Sequence, residues 1–350
     1  MKKIKGVRLL LGLLGLGILL AGAMYWRLQL PDKTATISTT ESSREPQVSS
    51  VQSTEVSTTK AIEASSETIE SSTESSSNQA EPEAVFHTRV SQIANESVSH
   101  LTGKKGIYVA DVNQVADIYL ENSDSPIRAA SIIKLFLMDM FYYQVQAGLL
   151  QLDTSYALKA SDKVGGSGVI QQMAEGSLFT YEELVNYMIT VSDNTASNIL
   201  LDILGGTGTV NQFIQQQGYL NTRFERRFLD TAALASGLDN YTSAGDVGRL
   251  LTAIYHKQAV SPVYDQQMLM VLAGGQNRTK LPAQIGAEVT VYNKTGEYSE
   301  YGVQSDACIF EKNGKAYILV ILSQDGNEGE QFPAMNQFGL AIYNEYLSAD

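Results

Sequence analysis

Apolar side chains run together from Leu9 to Trp26, thin out between residues 31 and 82, and return at regular spacings from 83 onward. Within that last stretch the pattern alternates between helical and strand periods. The spacing predicts a helix over 86–101, strands over 106–112 and 116–120, and a strongly apolar helix from about 130 to 147. Further helices are expected over 180–204, 209–217, 243–255 and 262–272, then strands over 288–294, 303–310 and 316–323, and a C-terminal helix over 332–347. Lys312-Asn313-Gly314 joins two of the late strands and reads as a hairpin turn. The strands therefore come from both ends of this stretch and the helices from its middle. That order suits a layered α/β domain with a largely antiparallel sheet and an all-helical subdomain inserted into it.

The two earlier stretches carry other meanings. Lys2, Lys3, Lys5 and Arg8 precede the apolar run, so residues 1–30 read as a membrane anchor with a cytoplasmic N-terminus. A cleaved signal peptide is the rival, since Ala21-Gly22-Ala23 has the small-residue spacing of a cleavage site. Either way the rest of the chain is expected outside the cytoplasm, at the outer face of a bacterial-type membrane or in the wall. Residues 31–82 are rich in Ser, Thr and Glu and too poor in apolar surface to offset the entropy of ordering, so they read as a disordered stalk. Residues 83–350 form the globular domain, which is expected to be monomeric. The net charge of −13 argues against a nucleic-acid partner. The single cysteine, Cys308, excludes an intrachain disulfide and reads as a buried core thiol. His87, His100 and His256 have no metal-ligand spacing, and no metal or cofactor is expected.

Candidate chemistry begins at Ser131-Ile132-Ile133-Lys134, which opens the most apolar helix. Positions three apart share a helical face, so the hydroxyl and the amine can meet. Serine needs a base to become a nucleophile. Lysine is such a base only where burial or another cation lowers its pKa. The start of a helix also offers free N–H groups to a developing oxyanion. Alone this spacing is weak, because Ser57-Thr58-Thr59-Lys60 in the stalk repeats it. Two further triplets strengthen it: Ser192-Asp193-Asn194 within a helical segment, and Lys294-Thr295-Gly296 at the end of a strand, where glycine permits close approach. The bland readings are a helix cap and a strand-ending turn, but all three in this order make coincidence a poor account.

With these motifs the chain resembles the class A β-lactamases and, more broadly, the penicillin-binding serine peptidases, over nearly all of residues 83–350. The resemblance implies a three-layer fold, with a mostly antiparallel five-stranded sheet flanked by helices and an all-α subdomain. It implies Ser131 as the acylated nucleophile, Lys134 as its base and Ser192 as proton relay to the leaving nitrogen. Asn194 would hold a substrate amide, Lys294 and Thr295 a substrate carboxylate, and the N–H groups of Ser131 and Glu297 the oxyanion. The substrate would be a β-lactam or a peptidoglycan stem peptide. The alternatives are a DD-peptidase-like cell-wall hydrolase and a non-catalytic penicillin-binding sensor or wall-binding module.

The pattern also departs from the family. From Ser192 onward, through Gly205-Gly206, Phe213, Gly218 and 222–226, the register puts Phe228 where the family's deacylating glutamate stands, and Ala232 at the water-orienting asparagine. A phenylalanine is no general base. Glu225 is a candidate base only if the backbone shifts by a helical turn, and Asp230 is a weaker one. Arg226 is expected to pair with Asp239. The arginine often found after the third motif is missing, with Gln304 and Ser305 in that stretch. Gly165-Gly166-Ser167-Gly168 reads as a flexible loop at the cleft rim, with Tyr298 and Tyr301 as candidate cleft residues.

Overall fold

The computed structural model describes residues 82–114 and 118–349. The expected anchor, the stalk and the start of the expected strand at 116 lie outside the described residues. Among the described residues, no helix is long and apolar enough to cross a membrane.

Helix α1 (Pro82–Val98) buries Phe86, Val90, Ile93, Ala94 and Val98, a stripe at spacings of three and four. It leads into the antiparallel strands β1 (Lys104–Asp111) and β2 (Ile118–Glu121). A two-residue strand β3 (Ile127–Arg128) and a 3-10 turn (Ala130–Ile133) then open α2 (Lys134–Gln146). Helix α2 is buried from Lys134 through Tyr142 and is mostly apolar there, as the core of the helical subdomain, while Tyr143 and Gln146 in its last turn are exposed. Strands β4 (Ser155–Ala157) and β5 (Leu178–Thr180) form a small hairpin-like pair beside it. Helices α3 (Tyr181–Thr190), α4 (Asn194–Ile203) and α5 (Gly206–Gln216) complete the subdomain around α2. After a loop come α6 (Thr231–Ala235), β6 (Tyr241–Thr242), α7 (Ala244–Tyr255) and α8 (Pro262–Ala273). The chain ends in β7 (Thr290–Tyr298), β8 (Val303–Lys312), β9 (Lys315–Gln324) and α9 (Glu328–Tyr346).

The main sheet has the order β2-β1-β9-β8-β7, and each neighbouring pair is antiparallel. Its central strands are covered on both faces, so they read as continuous apolar runs rather than alternating ones. Ile107, Val109, Cys308, Phe310, Leu319 and Ile321 face one core with α1 and α9. Tyr108, Ala110, Ala307, Ile309, Ile318 and Val320 face the other, with α2 and α7. Cys308 is buried, and burial followed by the neighbouring Asp306 pushes its thiol well up. The result is the three-layer fold the resemblance implied.

Two expectations at element level are corrected. The helix expected over 180–204 is two helices, broken at Ser192, which has a left-handed φ of +56°. The third motif does not end its strand, since β7 runs on through Lys294-Thr295-Gly296 to Tyr298 in register with β8. The short strands β3 to β6 and helix α6 carried no period long enough to announce them.

Candidate active site

The three motifs meet at the junction of the sheet and the helical subdomain. Ser131 sits in the 3-10 turn, just after Ala130, whose φ of +42° swings the chain into α2. Strand β7 passes directly against this turn. A Cβ on Gly296 would stand 2.8 Å from Ile132 Cγ1 and 2.9 Å from the Ala129 carbonyl, so only glycine fits there. The break between α3 and α4 brings Ser192 in from the opposite side. Asp193 holds that break. Its carboxylate caps α4 by accepting from Ala196 N at 2.8 Å and also accepts from Val169 N at 2.6 Å and Ile170 N at 2.8 Å. The 165–168 loop is held from the same side, Gly165 O accepting from Asn194 Nδ2 at 3.2 Å and Ser167 O from Asn194 N at 3.1 Å, and a Cβ on Gly168 (φ +108°) would collide with Asp193.

Ser192 Oγ stands between two buried amines. Lys134 Nζ lies 3.2 Å from it and also donates to Ser192 O at 2.7 Å and Asn194 Oδ1 at 2.9 Å. Lys294 Nζ lies 3.1 Å from the same hydroxyl and donates to Thr295 O at 2.7 Å. Burial, and then the Lys294 charge, hold the Lys134 amine far below the usual lysine range, against an opposing pull from Asp193. The amine thus donates toward three oxygens, Ser192 O, Ser192 Oγ and Asn194 Oδ1. On losing a proton it keeps two hydrogens for them and gains a lone pair that can take a proton from a hydroxyl. Burial, followed by the Lys280 charge, brings Lys294 down to about 7 despite the opposing carboxylates of Asp306 and Glu297.

Two cavities flank Ser131. One of about 410 Å³ is lined by Ser131, Ser192, Asn277, Lys294, Thr295 and Glu297, among others. The other, of about 240 Å³, is lined by Ser131, Asn194, Phe228, Leu229, Leu234 and Tyr298 with further residues. Ser131, Ser167 and Glu297 border both. The predicted residues Ser131, Lys134, Ser192, Asn194, Lys294, Thr295, Gly296 and Glu297 are therefore brought together.

Glu225 is not. One carboxylate oxygen meets Arg223 Nε at 2.9 Å, the other accepts from Asp239 N at 3.2 Å, and the residue borders neither cavity. Its reading as a deacylation base is corrected: it braces its own loop. Phe228 occupies the position next to the amine instead, with its ring centroid 4.7 Å from Lys134 Nζ. Asn198 fixes it there, accepting from Phe228 N at 2.9 Å and donating to Phe228 O at 3.0 Å. Asp230 caps α6 through Ala233 N at 2.9 Å while bordering the smaller cavity. Arg226 pairs with Asp239 at 2.8 Å as expected, and Arg128 pairs with the same carboxylate. Tyr298 borders the smaller cavity, whereas Tyr301 stacks under Arg128, 4.0 Å from ring centroid to Cζ. Gln304 and Ser305 are buried in the sheet and border neither cavity.

One cluster was invisible in the sequence. Lys280, fully buried, donates to Glu297 Oε1 at 2.6 Å, and Asn277 Nδ2 donates to the same oxygen at 2.7 Å. No motif marks an ion pair formed across that distance in sequence.

A family model described as the beta-lactamase enzyme family matches residues 88–346. Among solved structures, the chain is similar to a β-lactamase from Sphaerobacter thermophilus at 24% identity, covering 74% of this chain and 97% of that one, with a TM-score of 0.66. It is similar to PBP-A at 25% identity over 75% of this chain and 97% of that one, with a TM-score of 0.67. A PBP-A variant in an acyl-enzyme complex with penicillin G matches at 25% identity over 76% and 97%, with a TM-score of 0.66.

Proposed function

Because this chain belongs to the β-lactamase enzyme family, we propose that it is a serine acyl-enzyme that reacts with β-lactams or related amides and releases the acyl group slowly. The observation that carries the reading is the buried, depressed Lys134 amine beside Ser192, with the Phe228 ring against it. Neutral Lys134 takes the proton from Ser131 Oγ as that oxygen attacks the carbonyl carbon. The N–H groups of Ser131 and Glu297 stabilise the oxyanion. As the tetrahedral intermediate collapses, the C–N bond breaks and Ser192 passes its proton to the leaving nitrogen, regaining one from Lys134. Lys294 and Thr295 border the larger cavity and form the wall along which the leaving arm of the substrate lies. Hydrolysis of the acyl-enzyme needs a base beside a water. Phe228 offers none, which favours a penicillin-binding, cell-wall peptidase-like role over fast β-lactam turnover. In this reading the N-terminal segment anchors the domain outside the cell and the stalk holds it within the wall.

Intact mass spectrometry of the full-length protein mixed with a penicillin, followed over minutes to hours, tests this. A persistent adduct that Ser131→Ala abolishes is the expected result. An adduct that disappears as the drug is consumed would identify an active β-lactamase and overturn the reading of Phe228. No adduct would leave a different substrate or the binding-module reading.

A further inference from the structure

The side chain of Glu297 places a carboxylate beside Ser131 in the cleft. Its backbone N–H is the expected oxyanion donor, yet its carboxylate borders both cavities on either side of Ser131. Oε1 is held from below by Lys280 and Asn277. Among the described residues, Oε2 receives no hydrogen bond, and the side chain is 42% exposed. Burial opposes ionisation of this group, but Lys280 and Asn277 outweigh it and hold the carboxyl below its usual range. A carboxylate paired through one oxygen with Lys280 thus stands on β7 two residues beyond Thr295, with its other oxygen open toward the wall where a substrate carboxylate would dock. Of the nearby cations, Arg226 borders the smaller cavity with Glu297 but is paired with Asp239. Lys294 lies near 7 and is only about half charged at neutral pH. Lys280 is fully buried beneath Glu297 and does not border the cavity. Gln304 and Ser305 add no charge.

We propose that Glu297, held in place by Lys280, is a specificity-determining residue that selects acyl donors whose leaving arm is neutral or bears an N–H donor or ammonium, and disfavours arms that end in a carboxylate. Oε2 is the acceptor for that donor, and a carboxylate in its place meets a like charge. The inference rests on Ser131 being the acylated nucleophile.

The test compares benzylpenicillin, which is anionic, with its neutral methyl ester. Second-order rate constants for adduct formation are measured by intact mass spectrometry on the full chain at pH 7. The wild type is expected to favour the ester. In Glu297→Gln the ratio of acid to ester rates should rise about tenfold, because a unit like charge has been removed within contact range. Because Glu297→Gln leaves Lys280 buried without its anion, the paired variant Glu297→Gln with Lys280→Met serves as a second probe, and the same rise is expected there. A general loss of packing would slow both probes and leave the ratio alone. An unchanged ratio in both variants overturns the inference while the Ser131 reading stands. Absence of adduct with either probe overturns both.

Discussion

At the scale of single residues, the site turns on what surrounds the Lys134 amine. Two of its neighbours, Ser192 O and Asn194 Oδ1, are acceptors that a neutral amine can satisfy with its two hydrogens. The third side is closed by an aromatic ring, which packs against the amine but exchanges no proton. In the proposed reading, slow deacylation traces first to the side chain at 228, whose backbone Asn198 fixes by two hydrogen bonds. Phe228→Glu is expected to shorten the lifetime of the penicillin adduct by about a hundredfold, in the range a positioned general base supplies. Phe228→Ala opens the same space without a base and is the control. Equal lifetimes in the Glu and Ala variants, read by mass spectrometry after rapid removal of free drug, would show that a base at this position is not what deacylation lacks.

At the scale of elements, the three motifs were legible in the sequence but their conformations were not. Ser192-Asp193-Asn194 looked helical because apolar positions continue at helical spacing on both sides of it, and nothing in a serine announces a φ of +56°. The strand of the third motif looked shorter because Gly296 resembles a stop, whereas it marks the close passage of β7 over the turn that carries Ser131. Register against the family motif located Phe228, while the Lys280–Glu297 pair follows from folding alone. The broken helix has a measurable consequence. Asp193 is 1% exposed and accepts from three backbone N–H groups, capping α4 and pinning the 165–168 loop that carries Ser167 into both cavities. Asp193→Ala leaves those donors without their anion and is expected to cost about 3 kcal/mol of stability. It should also slow acylation, because Ser192 loses its fixed approach to the amines. Chemical denaturation together with the acylation rate checks this, and a loss below about 1 kcal/mol would mean the loop stands without the cap.

At the scale of the molecule, the helix that presents Lys134 also carries a second buried titratable group into the core. Asp139 on α2 is 2% exposed, and its Oδ1 has no hydrogen-bond partner. Burial, and then the charge of Asp265 on α8, raise it to about 7. Asp265 has its own donors, the N–H groups of Ala259 and Val260 at 3.0 and 2.9 Å, whereas Oδ1 of Asp139 has none. A carboxyl whose folded pKa is raised binds its proton more tightly in the native state. Its contribution is therefore fully present below the ordinary carboxyl range and is lost as pH rises through about 7. The total is on the order of a few kcal/mol. Asp306, raised to about 6, acts with the same sign, while the depressed Lys294 acts oppositely, with stability recovering as pH rises above about 7. The wild-type curve alone mixes these contributions, and the difference between wild type and Asp139→Asn isolates one of them. Asparagine keeps the shape of the side chain and is neutral at every pH. The variant's stability relative to wild type is therefore expected to rise from the ordinary carboxyl range up to about pH 7 and to level off above it in denaturant titrations. A difference that stays constant across that interval would mean that Asp139 reaches solvent or a partner when ionised, and that the core around α2 is less tightly closed than its packing indicates.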